Sequence, residues 1–410
     1  MGAPLRWACW RGFDRMRSRH QWAWYLASIL LVIAVDVRAG GADAIRLNEI
    51  QVIGTHNSYH AGLAPGVQQL LRAEKPEALL GLEYRHPPLD EQLSAGIRQL
   101  EIDIYADTRG GRFAHPRSLD WVRSAGLPAD DPWDSPAIMA KPGFKVLHTQ
   151  DVDYRSNCQP FTACLGIVRR WSESHPQHSP IFILIETKTD RPQSDRSQSD
   201  RSQSDRELTE PEPFTPQTFD ALDAEIRSVF PQDAMLVPDQ LRGQFPTLRD
   251  AIRARQWPTL RQARGKVVFL MDQQRMGPVY LEGHPALRGR ILFTNAHPGD
   301  PDAAFVEQNE NDVAAINALV REGYLVRART DWDTRQARSN DTARRDAVLA
   351  SGAQLISTDY PTSEPASWTG YSVGFPQNLP ARCNPTLAPR NCRSDALDPY
   401  PARSSSSSPH

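Results

Sequence analysis

Arg98-Gln-Leu-Glu101-Ile-Asp103-Ile-Tyr105 is the stretch on which the fold turns. Leu100, Ile102 and Ile104 recur with period two, the signature of a β-strand whose apolar face enters a core. The same alternation sets Glu101 and Asp103 side by side on the opposite face. Two adjacent carboxylates on a buried strand repel one another and resist desolvation. A hard divalent cation such as Ca²⁺ or Mg²⁺ relieves both terms, because it prefers oxygen donors.

Working outward, other strands also end in polar residues. Ile50-Gln-Val-Ile-Gly-Thr runs into His56-Asn57-Ser58-Tyr59, and Phe144-Lys-Val-Leu ends at His148. Ile181-Phe-Ile-Leu-Ile is apolar on both faces, as in a buried parallel sheet, until Glu186 and Lys188 emerge two apart. Further strands are read at Lys266–Met271, Arg290–Thr294, Tyr324–Arg329 and Ala353–Asp359. Helical patterns separate several of them: Gly66–Leu80, Cys164–Ser174, Phe214–Phe230, Asp312–Glu322 and Thr342–Ser351. Gly110–Lys141, rich in Pro, Gly and Trp, reads as a long loop. Eight strands alternating with helices predict an α/β fold, a (β/α)₈ TIM barrel with its site at the carboxyl ends of the strands.

The flanks have other purposes. Arg6, Arg11, Arg15, Arg17 and Arg19 precede the apolar run Tyr25–Val35, and Val37-Arg38-Ala39 offers a cleavage point, so residues 1–39 read as a signal peptide. An uncleaved anchor is the alternative. The leader carries six arginines and two aspartates, and removing it takes the formal charge from −2 to −6. The formal charge of −2 gives no general reason to expect nucleic acid as a partner, and none is expected. Outside the leader, Cys158, Cys164, Cys383 and Cys392 lie in two close pairs without the further ligands of a zinc site. They permit three pairings, of which the local one costs least loop entropy. Disulfides and a leader together predict a secreted or periplasmic protein, and a monomer is expected. Within 190–212 the Ser-Asp-Arg repeat has no apolar residue and reads as a disordered insert in a barrel domain spanning 46–365. Residues 366–410 read as an extension, with a disulfide and a serine-rich tail.

Barrel closure brings successive strand ends within ~10 Å of one another. His56-Asn57, Glu101/Asp103, His148 and Glu186/Lys188 therefore form one candidate constellation: oxygen donors for a cation, and two histidines able to act as acid and base. Thr55-His56-Asn57-Ser58-Tyr59, Glu101-Ile-Asp103, Val146-Leu-His148 and Leu184-Ile-Glu186-Thr-Lys188 resemble the phosphoinositide-specific phospholipase C superfamily, in particular its secreted, calcium-dependent bacterial branch. The tail from Tyr371 through Ala381-Arg-Cys383-Asn-Pro is similar to that branch as well.

The resemblance implies Ca²⁺ held by Asn57, Glu101, Asp103 and Glu186. It further implies that His56 stabilises charge on a phosphoryl group, that His148 is the general acid, and that Lys188 binds substrate. Arg329 is a candidate phosphate contact by position alone, and Glu101 or Glu186 could take the proton of the attacking hydroxyl. The implied substrate is a phosphatidylinositol-type phospholipid met at a transient membrane surface, cleaved to diacylglycerol and a cyclic inositol phosphate. Trp121 and Trp133 are candidate surface aromatics. Two other readings fit the same residues: a glycerophosphodiester phosphodiesterase, and an inactive barrel that binds lipid or a surface partner. His56 followed by Asn57, where the former family has His-Arg-Gly, favours the phospholipase reading.

Overall fold

The computed structural model describes residues 41–128, 136–189, 208–310 and 312–400. The leader, the Ser-Asp-Arg repeat, the serine tail and Trp133 lie outside the described residues.

Seven parallel strands form the frame: β1 (Ile50–Thr55), β2 (Gln99–Tyr105), β4 (Ile181–Thr187), β5 (Val267–Met271), β6 (Phe305–Glu307), β7 (Leu325–Arg329) and β8 (Leu355–Thr358). Their order is β5-β4-β2-β1-β8-β7-β6. All of their residues except Glu186 and Glu307 are buried, which is why β4 and β5 read as apolar runs rather than as alternating edges. The gap between β5 and β6 is spanned by an irregular stave. Phe293 bridges Leu270 and Asn295 bridges Phe305, with Met271 N donating to Phe293 O at 2.8 Å and Phe293 N to Phe269 O at 2.9 Å. The ring thus closes with eight staves.

Eight is the number expected, but one member differs. Lys145–Val146 is a strand, β3, yet it runs antiparallel to β2 and pairs only with Ile104 and Tyr105. Its place in the ring belongs to Phe305–Glu307, three residues too short to announce a period. The reason lies in the β1–β2 seam. Those strands meet at a single register pair, Gly54 with Gln99. A Cβ on Gly54 would fall inside the Gln99 side chain, so glycine is required at that approach. Either side of this point the seam is open. β9 (Ala381–Cys383) fills it along Ile50–Val52, and β3 fills it at the carboxyl end of β2. His148 reaches the barrel mouth through that filling.

Helices cover the outside. In Phe161–Ser174 the residues Phe161, Cys164, Leu165, Val168, Trp171 and Ser172 are buried, the spacing of one helix face. The Gly66–Leu80 pattern is split into helices Pro65–Glu74 and Pro76–Leu80, because Pro76 has no N–H to continue the first. The stretch read as one long loop after Gly110 contains a helix, Ser118–Ser124. Its Trp121 packs against a satellite cluster around Val67, Val122 and Tyr154. Both local disulfides are formed, Cys158–Cys164 and Cys383–Cys392.

Candidate active site

Glu101 and Asp103 lie within β2, the other candidates of the constellation lie at or just beyond strand ends, and the ring brings them to one mouth. β2 presents Glu101 and Asp103 on one face, in register with Leu184 and Glu186 of β4. Asp272 follows β5, Glu307 ends β6, Arg327 and Arg329 project from β7, and Asp359 follows β8.

The carboxylates divide into two groups. Glu101, Glu186 and Asp272 each offer an oxygen, all within 4.8 Å of one another. Asp103 is instead 2.8 Å from Lys188 Nζ, which also lies 2.7 Å from Glu186. Arg327 Nη2 donates to Glu101 Oε2 at 2.5 Å, and Arg327 also approaches Glu307 at 3.5 Å. Asn57, buried at φ 46°, donates its amide to Tyr84 Oη at 2.7 Å.

The electrostatics follow from crowding. Burial, then the charges of Glu307, Glu186 and Glu101, push Asp272 well above the ordinary carboxylate range. Burial outweighs the help of Arg327 at Glu307, which is pushed up to about 7. Burial alone would lower Lys188, but Asp103 and Glu186 more than offset it and hold the amine charged. Three carboxylates converging in a buried mouth suit a hard, oxygen-seeking divalent ion, whose charge would remove the repulsion that raises them. Asp272 escaped sequence reading because a lone Asp after a strand has no local pattern to mark it.

Each histidine is held by an aspartate. His56 Nδ1 is 2.8 Å from Asp359 Oδ1, while Arg329 Nη1 donates to His56 Nε2 at 3.1 Å. A guanidinium can only donate, so Nε2 is the acceptor and Nδ1 carries the proton given to Asp359. Burial and then Arg329 keep the His56 pKa well below its ordinary value, in agreement with that neutral tautomer. Nε2 also lies 3.6 Å from Glu101 Oε1.

His148 Nδ1 is 2.9 Å from Asp153 Oδ2, and His60 Nε2 meets the same carboxylate at 2.9 Å. Burial opposes ionisation of Asp153, but His60 and His148 overcome it and hold the carboxyl well below its usual range. His148 keeps 24% of its side chain exposed, and its Nε2 makes no hydrogen bond among the described residues. The Asp359 and Asp153 partners were not singled out in the sequence. Asp359 does have a signal, its place at a strand end like His56 and Glu186. Around the rim, among the described residues, the exposed large apolar side chains are Leu80, Trp332 and Trp368, whereas Trp121 is half-buried.

A profile of the family described as phosphoinositide phospholipase C, Ca²⁺-dependent, matches residues 45–385. No curated protein matches the chain. Among solved structures, a calcium-dependent phosphoinositol-specific phospholipase C from a Gram-negative Pseudomonas is similar at 15% identity, covering 84% of this chain and 96% of that one with a TM-score of 0.49. A Ca²⁺-dependent phosphatidylinositol-specific phospholipase C from Streptomyces antibioticus is 18% identical over 77% and 95%, with a TM-score of 0.42. The phosphatidylinositol-specific phospholipase C of Listeria monocytogenes is 11% identical over 78% and 91%, with a TM-score of 0.41.

Proposed function

The chain belongs to the Ca²⁺-dependent phosphoinositide phospholipase C family, and from that premise we propose that it cleaves phosphatidylinositol-type lipids by intramolecular attack, giving diacylglycerol and a cyclic inositol phosphate. The observation that carries the reading is the pair of histidine–aspartate units beside one group of carboxylates at the barrel mouth.

Glu101, Glu186 and Asp272 would hold the calcium ion, with Asn57 and Asp103 as the further donors that the family resemblance implies. When bound, Ca²⁺ supplies positive charge for the phosphoryl oxygens and acidifies the attacking hydroxyl. The rest falls to side chains. His56 Nε2, unprotonated and steadied through Nδ1 by Asp359, is disposed to take the proton of the inositol 2-hydroxyl. This assigns it the base role in place of the charge-stabilising one expected from the resemblance. Arg329, already at the imidazole, then donates to the developing phosphoryl charge. Lys188 stays charged between Asp103 and Glu186 and can meet a polar headgroup.

His148, oriented through Nδ1 by Asp153 and partly exposed, gives a proton from Nε2 to the departing diacylglycerol oxygen. An attacking group carried by the substrate needs no ordered water and gains the advantage of proximity. Leu80 and Trp332 at the same rim are assigned to contact with the lipid surface, Trp332 lying under the Arg329 guanidinium at 4.7 Å. Two disulfides support an oxidising compartment, and no described helix is long and apolar enough to cross a membrane.

The test is a phosphorus NMR time course on phosphatidylinositol, phosphatidylcholine and an inositol lipid methylated at the 2-hydroxyl, with and without Ca²⁺. The expected result is a cyclic phosphodiester from phosphatidylinositol alone, and only with calcium. Turnover of the methylated lipid at a normal rate would replace this reading with a water-using phosphodiesterase.

A further inference from the structure

A cleft of about 1120 Å³ opens next to the mouth, between the segment around Leu63–Pro87 and the segment Asp359–Trp368. None of Glu101, Glu186, Asp272 or Lys188 lines it, so it is distinct from the carboxylate group. Tyr84 and Asp359 form its inner wall, and these are the residues that hold Asn57 and His56.

Its outer wall is unusual in what it leaves unmet. Tyr360 Oη, Ser363 Oγ and Glu364 Oε1 have no hydrogen-bond partner among the described residues. All three belong to one five-residue stretch and all three residues line the cleft. Tyr360 is 5% exposed, so bulk water does not satisfy its hydroxyl. A buried polar group left unpaired costs about 1–3 kcal/mol, and folded proteins keep few of them. Three in one cleft point to a ligand that supplies the partners.

The charges narrow its chemistry. Three wall carboxylates already have a basic partner: Glu83 has Arg338, Asp359 has Arg329, and Glu364 has His86 at 2.7 Å. Farther along the edge, Glu91, Arg85 and Arg155 also line the cleft. Beside the three unmet atoms, where Glu83, Asp359 and Glu364 are already paired, neither a phosphate nor an ammonium group finds uncompensated charge. Two hydroxyls and a carboxylate oxygen instead match groups that both donate and accept. Trp368 completes the wall, 43% exposed, with Arg338 over its ring at 4.0 Å and Tyr360 edge-on at 6.2 Å. A braced, exposed indole offers a flat apolar surface beside those polar atoms.

We propose that this cleft binds a neutral, hydroxyl-rich group, a polyol or sugar ring, laid against Trp368 and hydrogen-bonded to Tyr360, Ser363 and Glu364. The site stands on its own walls and does not depend on the lipid reading. Such a group could arrive free in solution or attached to the headgroup of the substrate, since the inner wall is shared with His56.

The experiment has two arms on the full chain. In the first, sorbitol, maltose and mannobiose are titrated by calorimetry and tryptophan fluorescence, with inorganic phosphate as the charged comparison. Saturable binding of at least one of them is expected, weakened roughly tenfold or more in the Tyr360→Phe/Ser363→Ala double variant and in Trp368→Ala. In the second, turnover of soluble short-chain phosphatidylinositol is compared with that of its mannosylated form. A sugar attached to the headgroup predicts higher kcat/KM for the mannosylated lipid, lost in Trp368→Ala while the plain lipid is cleaved as before. Equal turnover with retained sugar binding assigns the cleft to a free sugar. No saturable binding up to about 100 mM together with equal turnover overturns the proposal. So does binding that the variants leave unchanged, or phosphate binding in place of sugar. Retained melting temperature in the conservative Tyr360→Phe/Ser363→Ala pair separates loss of ligand from loss of fold.

Discussion

The two ends of the barrel treat buried charge in opposite ways. At the mouth, Asp272 and Glu307 are pushed up, by burial first and by neighbouring carboxylates after it. At the opposite end, Asp398 is also buried, yet its carboxyl is held below the ordinary range because Arg98 and Ser179 outweigh burial. Arg98 Nε donates to Asp398 Oδ2 at 2.8 Å, and Ser179 adds its backbone N–H at 2.9 Å and its hydroxyl at 2.6 Å. Trp171 lies against the same guanidinium, 5.0 Å from ring centre to Cζ. The residue types are alike. The difference is that the base supplies donors for every carboxylate oxygen pulled from water, while the mouth leaves like charges facing one another. A satisfied group stabilises the fold, and a frustrated one is available to a ligand.

The largest effect that can test this contrast is at the mouth. His148→Ala should lower turnover of a natural lipid by about 10²–10⁴-fold, the usual contribution of a general acid, and leave the melting temperature within a few degrees. On a substrate with an acidic phenol leaving group the loss should be far smaller, measured by release of the phenol. An equal loss on both substrates would mean that His148 does something other than donate a proton.

Next comes the base. Asp398→Ala leaves the fully buried Arg98 without its partner and should cost roughly 3–5 kcal/mol in urea unfolding, with kcat unchanged below the transition. A drop in kcat at full folding would show that the two ends are coupled.

Asp272→Asn is the converse of that change. It removes one of several facing carboxylates, so calcium affinity by calorimetry should fall roughly tenfold while stability without calcium is equal or greater. Loss of stability in the calcium-free state would contradict the picture of a frustrated mouth.

The smallest effect is the dependence of the base on pH. Asp398 is depressed in the folded chain, so its contribution is fully present above the unfolded aspartate value of about 3.9 and fades as pH falls through the lower folded value. The stability gap between the parent and Asp398→Ala should therefore narrow below about pH 4 and be flat from pH 5 to 7, as read by chemical denaturation at each pH.

Much of the mouth is legible in the sequence. Period two placed Glu101 with Asp103, and polar residues ending apolar runs marked His56, His148, Glu186 and Lys188. A closed parallel ring must gather such ends on one side. The local pairing of cysteines was legible for a similar reason, because a short loop costs little entropy to close. Local spacing also located the long helices among the described residues, apart from the break at Pro76.

Partner choice was not legible. His56 finds Asp359 across 303 positions, and Arg98 finds Asp398 across 300. Nor did the sequence say that β3 would turn back on β2 while Phe305–Glu307 entered the ring. A strand's own residues determine which face is apolar and what stands at its end. Which neighbour it meets, and at what register, depends on the curvature of the whole sheet, here on Gly54 touching Gln99 at one point and leaving the seam open on both sides. Sequence by itself therefore determined many of the chemical groups of the mouth, but not Asp272, Asp153 or Asp359. The closing of the ring decided which aspartate holds each histidine, which carboxylates are left to face one another, and where the unpaired wall beside them lies.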